Sequence, residues 1–181
     1  MPVATEQQLP TGTWRADKIH SSAGFAVKHM VVSTFRGRFE DFDATLDVGE
    51  DGEDSFTGTV RADSIVVKDE NLAAHLKSPD FFDTERYPEI RFESTAVRRE
   101  GDELIVDGNL TIKDQTHAVE ARGGLVGPHE NIAGKTGIGI TLETVVDRTK
   151  FGLNWNAPLP KGGFALANDV ALLVELELVE A

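Results

Sequence analysis

Apolar and polar side chains alternate along most of this chain with a period of two, which is typical of β-strands. The last alternating stretch places Glu175 and Glu177 opposite a face made of Val170, Leu172, Val174, Leu176 and Leu178. A strand with one apolar and one polar face fits a barrel wall or a sheet buried on one side.

The breaks between these stretches are short. Residues 49–52 and 100–102 form acidic, glycine-containing turns, and Lys113-Asp114 separates two further apolar runs. Parallel strands need crossover connections of roughly a dozen residues or more, so connections this short favour antiparallel pairing. The pattern therefore predicts an all-β fold, an antiparallel β-barrel of about eight strands.

Two segments interrupt the alternation. Residues 29–33 are predicted to form a single helical turn, and residues 71–77 a short helix that ends at Ser78-Pro79. Both helices would lie at the ends of the barrel. Residues 1–11 are polar and contain two prolines, which predicts a flexible lead-in, and residues 12–181 are predicted to form one barrel domain.

Charge limits the range of partners. The chain has 18 lysines and arginines against 31 aspartates and glutamates, a formal net charge of −13. Such a chain repels nucleic acid and anionic bilayers at long range, so we expect no nucleic acid partner and no stable membrane insertion. The N-terminus does not resemble a signal peptide, and no apolar run approaches the ~18 residues that span a bilayer, which predicts a cytoplasmic protein.

Metal and cofactor motifs are weak. The chain has no cysteine, and none of its five histidines has a partner four residues away beside a glutamate, as a zinc-binding helix would require. A two-histidine site at His20 and His29 remains geometrically open. Gly134-Lys135-Thr136 lacks the first glycine of a phosphate-binding loop. We predict no metal, no catalytic residue and no cofactor other than a bound lipid.

The aromatic residues carry more information. Ten phenylalanines and two tryptophans stand against one tyrosine, and cations accompany several of the rings, such as Lys28 beside Phe25 and Arg148 before Phe151. Rings alone could simply fill the barrel. Burying cations without partners is costly, however, so these groups should reach solvent or meet a polar ligand group. The mixture predicts a pocket for a long apolar ligand with a polar head.

The apolar side chains of these segments are predicted to contact the ligand tail: Phe25, Val27, Met30, Phe35, Phe39, Phe42, Leu72, Leu76, Phe81, Phe82, Phe92, Leu110, Ile112, Phe151, Trp155 and Phe164. The neighbouring polar side chains are predicted to contact the head group: His20, Lys28, His29, His75, Arg148 and Asn156.

Several motifs, in their order along the chain, resemble those of the YceI-like family of polyisoprenoid-binding proteins. They are G-T-W at 12–14, H-S-x-x-x-F-x-V-K-H at 20–29, F-x-G-x-F-x-x-F at 35–42, H-L-K-S-P-D-F-F-D at 75–83, P-E-I-R-F at 88–92, G-N-L-T-I at 108–112 and R-x-x-F-G-L at 148–153. The resemblance implies an extended, lipocalin-like antiparallel barrel. It also implies non-enzymatic binding, storage or transport of an isoprenoid quinone, a polyprenyl compound or a similar long-chain amphiphilic lipid in an internal tunnel.

One motif departs from the family pattern. Family members usually carry an Arg-Asp pair before the His-Leu of the helix, where this chain has Ala73-Ala74, so head-group contacts from that point would be missing. Two other functions stay open: an enzyme for a small hydrophobic substrate with His29 or His75 as general base, and an interaction module with a packed barrel. A homodimer is also left open.

Overall fold

The computed structural model describes residues 9–181 and confirms the all-β fold. Its elements are β1 (Gly12–Ala16), β2 (Ser22–His29), β3 (Ser33–Phe39), β4 (Phe42–Val48), β5 (Asp54–Arg61), β6 (Ile65–Val66), α1 (Glu70–Lys77), β7 (Glu89–Glu100), β8 (Glu103–Ile112), β9 (Gln115–Glu130), β10 (Thr136–Asp147) and β11 (Leu166–Glu180). Residues 1–8 of the predicted lead-in lie outside the described residues, so the predicted domain boundary stays a prediction.

Eight of the strands close into an antiparallel barrel in the order β1-β4-β5-β7-β8-β9-β10-β11, and β11 returns to pair with β1. Strand β11 changes partner along its length. Residues 178–180 pair with β1, whereas residues 166–175 pair with β2. In the half of the molecule where β11 pairs with β2, the wall therefore continues as an extension of three strands, β2, β3 and β6.

The end of the barrel at β1 is filled with side chains. Trp14 is fully buried there, and its indole Nε1 donates a hydrogen bond to the Pro10 carbonyl at 3.2 Å. The apolar face predicted for β11 is confirmed, because Leu176 and Leu178 are buried in this cluster. We call this end the closed end. Its other core side chains include Leu46, Leu104, Val106, Ile138 and Ile140.

The helix predicted at residues 71–77 is confirmed as α1. Asp69 caps its first turn by accepting a hydrogen bond from the Leu72 amide at 2.9 Å, and the helix ends before Pro79, as expected for the residue that precedes a proline. Leu76 is buried against the barrel. Among residues 9–181, no helix is long and apolar enough to cross a membrane.

The helical turn predicted at residues 29–33 is instead a β-hairpin turn. His29 pairs with Ser33, and the intervening Met30 and Val31 have φ values of 51° and 68°. These are left-handed conformations, which suit a tight hairpin and cannot continue a right-handed helix. The period-two signal on either side of the turn reflects the two strands β2 and β3.

The side-chain faces of β11 lead to a stability prediction. Leu178→Ala should lower the free energy of unfolding by about 3–5 kcal/mol, because a fully buried leucine leaves a cavity. Leu173→Ala, on the outer face of the same strand, should change it by less than about 1 kcal/mol. Urea titrations of both variants measure the difference. Equal losses would contradict the assigned faces, since a one-residue register slip exchanges inside and outside.

Candidate functional site

The half of the barrel beyond the closed end encloses a cavity of about 620 Å³. Its wall combines barrel strands with β2, β3, α1 and the loop that leads into β11. Several apolar side chains are only half-buried because they face this space: Phe25, Phe35, Leu72, Phe82, Phe92, Trp155 and Leu172. A cavity of this size is contrary to the packed barrel of the interaction-module hypothesis.

Phenylalanines form one wall of the cavity. The Phe25 ring centroid lies 6.0 Å from those of Phe35 and Phe39, and the Phe39 and Phe82 rings meet edge to face at 5.7 Å. Gly37 makes this packing possible, because a Cβ there would lie 2.5 Å from the Phe25 ring. The aromatic cluster therefore depends on the absence of a side chain on the neighbouring strand.

A second aromatic group surrounds His75. Its ring meets those of Trp155 and Phe81 edge to face at 4.8 and 5.0 Å, and its Nε2 lies 3.0 Å from a carboxylate oxygen of Asp80. This places a polar imidazole, oriented by a carboxylate, in the apolar wall. The residues that depart from the family motif, Ala73 and Ala74, lie one turn or less before it on α1 and are not among the cavity-lining residues.

Arg148 is the buried charge of the cavity wall. It is 6% exposed, and its Nη1 donates to the carbonyls of Leu153 and Trp155 at 2.6 and 2.9 Å while its Nε donates to the Ala167 carbonyl at 2.9 Å. Its Nη2 is buried without a hydrogen-bond partner. Burial lowers the pKa of the guanidinium, but an arginine stays charged at neutral pH.

The position of Arg148 follows from the chain around it. Residues 148–151 form a short 3-10 helix after β10, with Asp147 as its N-cap and Gly152 in a left-handed conformation at its end. The turn directs the arginine inward, where it holds the carbonyls of the following loop. The adjacent Asp147 carboxylate compensates part of the charge of Arg148, but every hydrogen bond of the guanidinium goes to a neutral carbonyl and Nη2 has none. This arrangement favours an oxygen acceptor or anion nearby.

The structure brings all the predicted tail-contacting side chains to the cavity wall except Phe164. Phe164 is 60% exposed, because it lies in the loop before β11, where it forms an isolated bridge with Pro158. Sequence reasoning assigned it inward on ring chemistry alone, in a loop where no periodicity fixes the direction of a side chain.

The predicted head-group residues divide into two sets. His29, His75 and Arg148 line the cavity, whereas His20, Lys28 and Asn156 do not. Lys28 lies between Val27 and His29 on β2, so its side chain points to the opposite face, where its Nζ donates to Thr34 Oγ1 at 3.0 Å. The side-chain amide of Asn156 is hydrogen-bonded to the backbone: it donates to the Leu166 carbonyl and accepts from the Leu166 backbone N–H.

His20 lies on the outside of the barrel. Its Nδ1 is 2.8 Å from an Asp17 carboxylate oxygen, and this hydrogen bond raises the pKa of His20 above its usual value. Within residues 9–181, Asp17, His20 and Glu177 also form a group whose possible ligand atoms lie within 4.8 Å of one another. The hydrogen bond to Asp17 accounts for the position of the ring, and His29 is not part of the group.

Sequence reasoning missed part of the β11 wall. Leu166, Val170, Leu172 and Val174 line the cavity on the face that continues toward the closed end. The period-two pattern of the last strand had placed the last three of these on its apolar face, and this was the signal that could have identified them. The pattern does not show which part of a barrel is hollow, because packed and cavity-lining positions both read as apolar.

Comparisons with known proteins agree with this architecture. A family profile described as a YceI-like domain matches residues 14–178. The UPF0312 proteins SAB2563 and MW2606 of Staphylococcus aureus are 36% and 34% identical over 160 residues, covering 85% of this chain and 90% of each relative.

Solved structures share the fold. Burkholderia cenocepacia BcnA superimposes with a TM-score of 0.76 at 21% identity, over 92% of this chain and 99% of that one. A polyisoprenoid-binding domain from Saccharophagus degradans, implicated in plant cell wall breakdown, gives 0.68 at 8% identity, over 95% of this chain and 100% of that one. Since the profile covers nearly the whole chain and the relatives match over most of their length, this protein belongs to the YceI-like domain family.

Proposed function

We propose that this protein binds a long-chain isoprenoid or a similar amphiphilic lipid in its cavity and stores or carries it without catalysing a reaction. The observation that carries the proposal is the combination of a 620 Å³ apolar cavity with one buried, incompletely hydrogen-bonded guanidinium in its wall. The fold shared with a polyisoprenoid-binding domain supports the same ligand class.

The cavity size limits the tail. At roughly 30 Å³ for each water-sized group, 620 Å³ accommodates on the order of 20 carbon atoms. That corresponds to a short prenyl chain or to the first part of a longer one. Burial of apolar surface contributes about 25 cal/mol for each Å², so tail length should dominate affinity while tail identity matters less.

The head group is proposed to lie at Arg148. Its Nη2 needs an acceptor oxygen, which a phosphate or a quinone carbonyl supplies, and the positive charge favours the anion. His75 and His29 line the same cavity and offer further hydrogen-bonding atoms. A cofactor other than this lipid is not part of the proposal, and the homodimer and the cytoplasmic location remain predictions from the sequence.

A cavity-filling variant tests the tail site. Leu172→Trp should place an indole in the space that the tail would occupy, while Leu173→Trp on the outer face of β11 is its matched control. Native mass spectrometry after incubation with geranylgeranyl phosphate should show stoichiometric ligand on wild type and on the control, and at least about ten-fold less on Leu172→Trp. Equal occupancy of both variants would place the tail elsewhere, and an empty wild type would overturn the proposal.

A second prediction concerns the head group. Hydrogen bonds to charged groups contribute about 1.5–3 kcal/mol, so geranylgeranyl phosphate should bind at least about ten-fold more tightly than geranylgeraniol. In Arg148→Met, the ratio of the two affinities should fall to about one. The ratio compares two ligands on one variant, so partial destabilisation of the fold affects both alike. A ratio that Arg148→Met leaves unchanged would show that the head lies elsewhere.

Tryptophan fluorescence provides the measurement of lipid affinity. Trp155 lines the cavity, whereas Trp14 is sealed in the closed end, so a Trp14→Phe background isolates the fluorescence that should respond to ligand. The converse background, Trp155→Phe, serves as the control and should show no response to either lipid.

The His75–Asp80 pair keeps the enzyme hypothesis testable, since a carboxylate that orients an imidazole is a common arrangement for a general base. Mass spectrometry of the extracted lipid distinguishes the two functions. Unchanged lipid supports a carrier, whereas a product that forms with wild type and not with His75→Ala would establish an enzyme.

A further inference from the structure

The turn between β2 and β3 presents three consecutive apolar side chains at one edge of the cavity. Val31 and Val32 are 73% and 87% exposed, while Met30 is partly exposed and also lines the cavity. The cavity wall and the protein surface therefore meet at this turn. We propose that this turn and the neighbouring Phe164 dock onto a phospholipid bilayer, from which the lipid enters the cavity. This inference rests on the proposed function.

Phe164 extends the same surface. The Met30 amide donates to the carbonyl of Ala165 at 2.7 Å, which fixes the loop carrying Phe164 beside the hairpin turn. We call the exposed set of Val31, Val32 and Phe164 the apolar rim. Scattered apolar side chains are normal on protein surfaces, but an adjacent group at a cavity edge is typical of a binding surface.

The backbone of the turn argues against a purely structural role for its side chains. Met30 and Val31 both have left-handed conformations, for which glycine and asparagine are the favoured residues and a β-branched valine is strained. The β8–β9 turn has a similar pair of left-handed residues and fills it with the polar Lys113 and Asp114. The fold therefore does not require apolar residues at such a turn.

Charge favours a phospholipid surface as the partner. Residues 28–38 and 154–168 contain four lysines and arginines and no aspartate or glutamate, although the chain as a whole has a net charge of −13. Three of these cations, Lys28, Arg36 and Lys161, form no ion pair with any acid in the described part of the chain. Unpaired cations beside exposed apolar side chains match the phosphates and acyl chains of a bilayer.

The acidic charge at the other end does not oppose this contact. The β4–β5 and β7–β8 turns of the closed end are acidic at Glu50, Asp51, Glu53, Asp102 and Glu103. Strand β11 alone extends roughly 50 Å at about 3.3 Å per residue, several times the Debye length of about 8 Å at physiological salt. The segment around α1 carries acids such as Asp69 and Glu70, so attraction should be local to the hairpin and the loop of Phe164.

Vesicle flotation of the full chain without added cargo tests the docking surface. The vesicles contain three parts phosphatidylcholine to one part phosphatidylglycerol. We expect wild type to bind, and Val31→Gly with Val32→Ser to bind at least about ten-fold more weakly because apolar area is lost. Ile132→Ser is the matched control, since Ile132 is at least as solvent-exposed as the two valines and lies on the β9–β10 turn of the closed end.

Charge reversal gives a second, independent readout. Lys161→Glu should weaken vesicle binding at least severalfold at low salt, because it replaces an attractive charge near the surface by a repulsive one, whereas Lys135→Glu at the closed end should not. Circular dichroism and geranylgeranyl phosphate binding should be unchanged in the Val31 and Val32 variant, because neither side chain lines the cavity.

The possible results separate the two proposals. If wild type does not float, or if the rim and control variants float equally, the docking proposal is overturned while lipid binding in solution stands. Capture of a protein by the rim in place of vesicles would likewise overturn it. If neither vesicles nor soluble geranylgeranyl phosphate bind, the proposed function fails first and the docking proposal with it.

Discussion

The change of partner along β11 is the constraint on which the rest of the structure depends. One end of this strand pairs with β1 and completes the eight-stranded ring, while its other end pairs with β2 and carries the three-stranded extension. Small eight-stranded barrels are just wide enough for side chains to fill them, as Trp14 and its neighbours do. Replacing β1 by β2 and β3 separates the walls at the other end and leaves room for a ligand.

This division gives the two ends different energetic roles. The closed end contains fully buried side chains such as Leu104, Ile138 and Leu178, whose packing stabilises the fold without a ligand. At the cavity end, half-buried rings keep apolar surface in contact with solvent or empty space, which is the surface that a lipid tail can cover. Filling the cavity would therefore stabilise the native state in proportion to ligand affinity, since the unfolded chain has no such site.

Sequence periodicity predicted the elements whose signal is local. The turn at Lys113-Asp114, the helix after Asp69 and the inner face of β11 each follow from a few neighbouring residues. The hairpin at Met30 and Val31 was misassigned because its left-handed backbone holds residue types that normally avoid it. Only some of the predicted head-group residues line the cavity. Lys28 does not, because it faces the opposite side of β2 from His29. Asn156 does not, because it lies in a loop where its side chain is hydrogen-bonded to the distant Leu166 backbone. Contacts of that kind arise from tertiary structure and have no local pattern.

Three departures from ordinary packing occur in the same half of the molecule. The cavity leaves contacts unmade, Arg148 keeps a buried Nη2 without a hydrogen-bond partner, and Val31 holds a strained backbone with its side chain in solvent. A chain optimised for stability alone would fill the cavity with larger side chains, replace Arg148 by an apolar residue and use glycine in place of Val31. Local rules are expected to fail at functional sites. Their common location connects the cavity, its polar anchor and its rim as parts of one ligand-handling end. The closed end is filled by side chains, with the buried, unpartnered Oδ1 of Asp54 at the start of β5 as an exception of its own.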